Sequence, residues 1–409
     1  MKKLLGVTLG ILTAMGGFVD IGDIVANSET GARFGMSLAW AVLLGVVGIV
    51  LYAEMSGRVA AVTQRATFDL VRERLGARAG LVNLGASFLI TMLTLIAEIA
   101  GVALSLQLVA DVNYLLWIPL VGFAVWLIIW RVKFSTLETV FGLIGLSMIV
   151  VVVAVVQLDP NWSHLWHQAS HPTVPTGEGH PTYFYYAIAL FGAAMTPYEV
   201  FFFSSGAVEE KWTRKDLGLN KANVYLGFPL GGILSLGLMA CAAVVFHPVG
   251  IGVDHLSQVG LPTSIALGRV GLAFIIIGFF ACTFGAALET GLSCGYTASQ
   301  YFGWQWGKLV RPRDAARFHL VVLSSIVVAV LVGVTAIDPI KVTEYSIVLS
   351  AAALPLTYFP ILVVANDRTY MGDLANGPVK NTIASAYMVL LVIVAVATIP
   401  LMIATKAGS

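Results

Sequence analysis

Three carboxylates sit where an apolar chain has little reason to keep them. Asp20 and Asp23 stand three residues apart in Gly16-Gly17-Phe18-Val19-Asp20-Ile21-Gly22-Asp23, and Glu199 closes Gly192-Ala193-Ala194-Met195-Thr196-Pro197-Tyr198-Glu199. Each lies about halfway along an otherwise hydrophobic stretch. At the centre of a bilayer a carboxylate costs roughly 2.5 to 3.5 kcal/mol unless something neutralises it. The glycine cluster of the first segment and Pro197 of the second also interrupt a helix. Backbone carbonyls freed that way are tolerated only where they line a cavity or meet a ligand. A bound cation would offset both penalties. Asp20, Asp23 and Glu199, with the Thr196 hydroxyl and the carbonyls around Ala193 and Ala194, form an oxygen-rich donor set suited to a hard cation such as magnesium, calcium or manganese. Asp23 or Glu199 could instead cap a half-helix, as acids near helix N-termini do, and capping does not exclude metal binding.

The elements that must position these groups are membrane spans. Of 409 residues 58% are hydrophobic and 11% charged, against roughly 25% charged in a soluble globular chain. A span needs roughly 20 mostly apolar residues. Eleven such stretches are expected, near residues 4–33 (interrupted), 36–57, 80–108, 114–131, 135–157, 183–210 (interrupted), 223–246, 265–297, 318–337, 342–364 and 383–404. Residues 1–409 thus read as one all-α polytopic domain in the lipid bilayer. The two interrupted spans stand five apart, the pattern of two inverted five-helix repeats, about 4–157 and 183–364, followed by an extra helix at about 383–404.

The basic residues support that division. All but Arg33, Arg269, Lys341 and Lys406 of the 23 Lys and Arg fall at the N-terminus or in even-numbered loops. The positive-inside rule then puts the N-terminus in the cytoplasm and, with an odd number of spans, the C-terminus outside. Met1-Lys2-Lys3 precedes an apolar run but no small-residue cleavage site follows, so the first stretch reads as a retained helix and not a signal peptide. Cys241, Cys282 and Cys294 lie in apolar stretches, where they read as small hydrophobes. No nucleotide-binding glycine loop, serine elbow or zinc signature appears, which argues against an enzyme or an ATP-driven pump. No nucleic-acid partner and no resident cofactor are expected, and a monomer is.

Other acids in the spans are Glu98 and Glu289, with Glu54 and Glu138 nearer the cytoplasmic ends. Glu98 and Glu289 are candidates for a proton or ion path, or equally for a satisfied bond between helices. His164, His167, His171 and His180 read as a solvated loop, and 159–182, rich in Pro, Gly, His and Trp, as irregular. Residues 67–75 place Phe68, Val71 and Leu75 on one helical face, with Leu70 among the polar residues opposite, a short amphipathic surface helix.

In this order the segments GFVDIGDIVANSETGARFG (17–35), SGRVAAVTQRATFDLVRERLG (56–76), AEIAG (97–101) and Leu354-Pro355 through Pro360 to Asn366-Asp367-Arg368 with Met371-Gly372 resemble the NRAMP family of divalent-metal transporters. The resemblance implies the LeuT-like fold, with broken helices one and six. It also locates departures. Asp20 stands at the first position of the family's Asp-Pro-Gly-Asn motif and Asp23 replaces its Asn. Thr196 replaces the family's methionine, Tyr198 its histidine and Glu199 the next residue. A thioether favours softer transition metals; its loss, with two added carboxylates, shifts the expected cargo towards Mg²⁺. The chain looks most like the NRAMP-related magnesium transporters, which implies Mg²⁺ and Mn²⁺ as substrates without clear proton coupling. Of the family's proton path only Glu98 is matched, since Leu95, Tyr198 and Phe203 occupy the other positions.

The expectation is therefore an uptake transporter of a bacterial-type inner plasma membrane, carrying Mg²⁺ and also Mn²⁺ by alternating access. Its metal site would be Asp20, Asp23, Ala193, Thr196 and Glu199. Its rivals are a proton-coupled Mn²⁺ or Fe²⁺ symporter, a carrier of an organic substrate such as an amino acid, and a transport-inactive receptor or sensor on the same scaffold. The sensor would usually carry a large soluble extension, and this chain ends at Ser409, shortly after its last span.

Overall fold

The computed structural model describes residues 10–408 apart from 12, 13, 16, 133, 336 and 337. In chain order the α-helices are α1 Ile21–Phe34, α2 Ala39–Thr63, α3 Thr67–Leu75, α4 Ala77–Ala110, α5 Tyr114–Arg131, α6 Phe134–Gly145, α7 Ile149–Gln157, α8 Trp162–Ser170, α9 His180–Ala194 and α10 Pro197–Glu209. They continue with α11 Leu217–Ala222, α12 Phe228–Val245, α13 Leu256–Phe302, α14 Ala316–Gly333, α15 Pro339–Asn366, α16 Arg368–Met371 and α17 Pro378–Ala404. Among the described residues ten helical stretches are long and apolar enough to cross a membrane. Of the expected first span, residues 4–9 lie outside the described residues, and α1 is its second half.

Both expected interruptions are present. The backbone bends at Val19 and is extended at Asp20 (φ −96°, ψ −178°), whose side chain then caps α1 by accepting from the Asp23 amide at 2.8 Å. α9 stops at Ala194, and α10 starts at Pro197, the first helical position, where a missing N–H and a fixed φ do no harm. Met195 and Thr196 bridge the gap. The Met195 amide takes the Phe191 carbonyl at 3.1 Å, so the carbonyls of Gly192, Ala193 and Ala194 lie past the end of the ladder.

Other spans depart from expectation. The segment expected at 265–297 belongs to a longer path, Leu256–Phe302, turned at Gly268 (φ 64°, ψ −149°), a conformation that glycine adopts without a Cβ penalty. A 3₁₀ turn at Leu146–Met148 divides the expected 135–157 span into α6 and α7. The 159–182 connection is not wholly irregular, because Asn161 accepts from the His164 amide and starts the helix α8. Leu70, expected on the polar face of α3, is fully buried with Phe68 and Val71, because α3 packs against α4, α13 and α15. The side chain of Glu138 lies outside the described residues.

Small residues set the close helix approaches, as expected where no water drives helices together. A Cβ on Gly31 would fall 2.2 Å from the Met239 carbonyl of α12, and one on Gly192 would fall 2.7 Å from the Ile347 carbonyl of α15. The two ends of the bundle are held by charge. At the end with the basic loops, Glu54 of α2 accepts from Arg58 at 3.1 Å and contacts Lys380 of α17, while Arg58 reaches Asn376 at 2.5 Å. At the opposite end Arg33 of α1 pairs with Glu178 at 2.5 Å and donates to Tyr186 of α9 and to the Gly408 carbonyl.

Candidate metal site

The two breaks face each other across α4 and α15. Asp20 is 2% exposed and holds its cap with one oxygen, while its second oxygen receives the Tyr198 hydroxyl at 3.4 Å. The same hydroxyl also reaches the Gly17 carbonyl at 3.3 Å, so Tyr198, from the start of α10, bridges to the first break. Glu98 of α4 accepts from the Ile21 amide at 3.1 Å, placing a second carboxyl against the positive end of α1. Glu98 thus makes the bond between elements that sequence left open, and it still has an oxygen to offer: Oε2 is buried and without a hydrogen-bond partner.

Asp20, Glu98, Ala193 and Thr196 line one cavity with Thr94, Thr343, Ser346 and Ser350. Its free volume is ≈ 10 Å³, room for about one water molecule. The Thr196 hydroxyl is buried and lacks a partner. The Thr94 and Ser346 hydroxyls lie 3.2 Å apart, and Ser350 Oγ turns back to the Ser346 carbonyl at 2.7 Å. Ile347 packs between the breaks, made possible by Gly22 and Gly192, at each of which a Cβ would press on α15. The hydroxyls of α15 are absent from the sequence reading. Their signal is the spacing of Thr343, Ser346 and Ser350, three, four and seven apart on one face of an apolar helix.

The remaining acids stand elsewhere. Asp23 is 1% exposed, but one oxygen receives Asn27 Nδ2 at 2.8 Å and the other Ser235 Oγ of α12 at 2.5 Å, and it does not line the cavity. Glu199 and Glu289 of α13 meet at the first break from the other side. An oxygen of each lies 2.7 Å from where a Gly17 Cβ would be, so the two carboxyls share the space that this glycine leaves open. Among the described residues no three His, Cys, Asp or Glu side chains come close enough to hold a metal by themselves. Any cation in this cavity therefore draws on hydroxyl and carbonyl oxygens as well. The Met195 sulfur is next to Thr196 in sequence but packs on Gly48 of α2, 2.5 Å from where its Cβ would be.

The whole fold has close counterparts. Over its full length the chain superposes on a manganese transporter of Eremococcus coleocola in complex with an aromatic bis-isothiourea substituted compound, with a TM-score of 0.72 and 18% identity, covering 89% of that chain. It matches MhsT in complex with L-phenylalanine at a TM-score of 0.64 and 17% identity, covering 97% of each chain. A third match is Mhp1, a nucleobase-cation-symport-1 family transporter, at 0.61 and 15% identity over 98% of this chain and 91% of that one. These likenesses establish the LeuT-type architecture. The family model for natural resistance-associated macrophage protein-like sequences, Nramp, matches residues 10–400. Buried oxygen donors at two facing helix breaks and a match over nearly the whole length lead to one conclusion: the chain belongs to the Nramp family of multi-pass membrane proteins, which transport divalent metal ions and are not enzymes.

Proposed function

We propose that this chain takes up Mg²⁺, with Mn²⁺ as a second substrate, and belongs with the magnesium-carrying branch of its family. The supporting observation is the donor set of the central cavity. Asp20, Glu98, the Thr196 hydroxyl and the Ala193 carbonyl are all oxygen donors, and the Met195 thioether is packed away on Gly48. Hard oxygen ligands suit Mg²⁺ and Mn²⁺, whereas sulfur would favour softer metals. Asp20, Thr196 and the Ala193 carbonyl contact the ion. Asp23 and Glu199 act on it through water or through their charge when the cavity opens, since Mg²⁺ keeps several of its waters and the cavity as it stands has room for about one.

Uptake proceeds by alternating access between two inverted repeats, about 4–157 and 183–364, in a monomer of the inner plasma membrane with a cytoplasmic N-terminus. The membrane potential drives it, supplying about 2.3 kcal/mol per charge per 100 mV, twice that for a divalent ion. Proteoliposomes under an imposed potential, carrying a Mg²⁺ dye and a pH dye, test this reading. Mg²⁺ entry without acidification is expected. Mn²⁺ or Fe²⁺ entry with acidification, undisturbed by excess Mg²⁺, would instead support a proton-coupled symporter, in which Glu98 and the Glu199 and Glu289 pair carry the proton.

A further inference from the structure

A second cavity lies towards the end of the bundle opposite the basic loops. It is enclosed by α1, α9 and α15 and lined by Glu29, Glu344, Tyr185, Tyr186 and Ile347, with a free volume of ≈ 10 Å³. Ile347 also lines the central cavity. One side chain therefore stands between the two spaces.

This outer cavity is lined by groups that suit a cation. Glu29 accepts from the Tyr186 hydroxyl, and Glu344 approaches from α15. Among the described residues neither acid forms an ion pair: Arg33 is paired with Glu178, and Lys341, one turn before Glu344, makes no salt bridge. Tyr185 provides an independent observation. It is 3% exposed, its hydroxyl has no hydrogen-bond partner, and it lines the same cavity as Glu29 and Glu344. A buried hydroxyl left without a partner destabilises the fold. A cation held by the two carboxylates and the Tyr185 oxygen would satisfy all three at once.

We propose that Glu29, Glu344 and Tyr185 form a second divalent-cation site, a loading station separated from the central cavity by Ile347. The choice of a divalent ion rests on the transport reading above; the existence of the site does not depend on Asp20. Mn²⁺ is the probe, counted by electron paramagnetic resonance on the purified full chain. Wild type binds two ions, and Glu29→Gln with Glu344→Gln binds one. Asp20→Asn also binds one, and that ion is lost when the three substitutions are combined.

Should Asp20→Asn keep two ions while the Glu29→Gln and Glu344→Gln pair loses one, the central site is misassigned and the outer site stands. An unchanged count and affinity in the outer pair overturns the proposal. Tyr185→Phe, which removes only a hydroxyl, provides a check independent of the charge changes. It weakens the outer site about fivefold, the worth of one hydrogen bond of about 1 kcal/mol, and no change in affinity would contradict the site as drawn.

Discussion

The Ile21 amide donates to Glu98 Oε1 at 3.1 Å, joining the restart of the first broken helix to the middle of α4, 77 residues away in sequence. This one bond makes Glu98 both a support for the break and a wall of the cavity. The two roles separate on substitution. Glu98→Gln keeps an acceptor for Ile21 and should melt within a few degrees of wild type, yet lose most Mg²⁺ uptake because the cavity loses a charge. Glu98→Ala strands a buried amide and should cost about 1–3 kcal/mol in addition. Thermal melting in detergent, beside flux in liposomes, reads both.

Thr196 occupies the position where a sulfur would change the metal. Thr196→Met should lower Mg²⁺ uptake at least about tenfold, some 1.4 kcal/mol, and admit Cd²⁺. Met195 provides the control, since its sulfur lies against Gly48 and outside the cavity. Met195→Leu, close in volume, should cost under about 1.5 kcal/mol in stability and leave the ratio of Mg²⁺ to Mn²⁺ uptake unchanged. A shifted ratio in Met195→Leu would show that the sulfur reaches the ion.

Gly192 lets α9 lie directly on α15, since a Cβ there would fall 2.7 Å from the Ile347 carbonyl. The obstacle is backbone and cannot swing aside. Gly192→Ala should therefore destabilise by about 1–3 kcal/mol and reduce flux by pushing Ile347 out of register with the break. Wild-type melting and flux in this variant would mean that α9 and α15 are further apart.

Asp69, on the short helix α3 outside the spans, has its carboxyl pushed by burial from the ordinary 3.8 to about 6, although the Ala66 amide and Arg65 favour its charged form. A carboxyl whose folded value lies above its unfolded one favours the folded state while protonated. Its contribution is fully present below the ordinary value and is lost as pH rises through about 6. Melting temperatures between those limits should fall with rising pH in wild type, and that part of the slope should vanish in Asp69→Asn. An identical slope in both would place Asp69 in water.

Much of this was legible in the sequence because it depends on local chemistry. The glycine cluster before Asp20 and the helix-breaking Pro197 mark both breaks locally, but the cap of α1 is Asp20, and neither Asp23 nor Glu199, which lie inside α1 and α10, caps a half-helix. The span Tyr114–Arg131 has the bounds that hydropathy gives it. What stayed hidden depends on partners far away in the chain. Asp23 turns from the cavity because Ser235, 212 residues later, holds one of its oxygens. The Glu199 and Glu289 pair exists because Gly17 leaves room for it. Gly268 breaks a helix, but nothing local distinguishes it among 41 glycines, most of which serve close packing.

The central claim is that a divalent cation passes through the cavity at Asp20. Mg²⁺ flux into liposomes containing Asp20→Asn, compared with wild type at equal protein and equal potential, tests it most directly. The Asn side chain can still accept from the Asp23 amide, so the fold and melting temperature should hold while Mg²⁺ and Mn²⁺ entry fall to the level of empty liposomes. Undiminished flux of both ions in a folded Asp20→Asn protein would contradict the account.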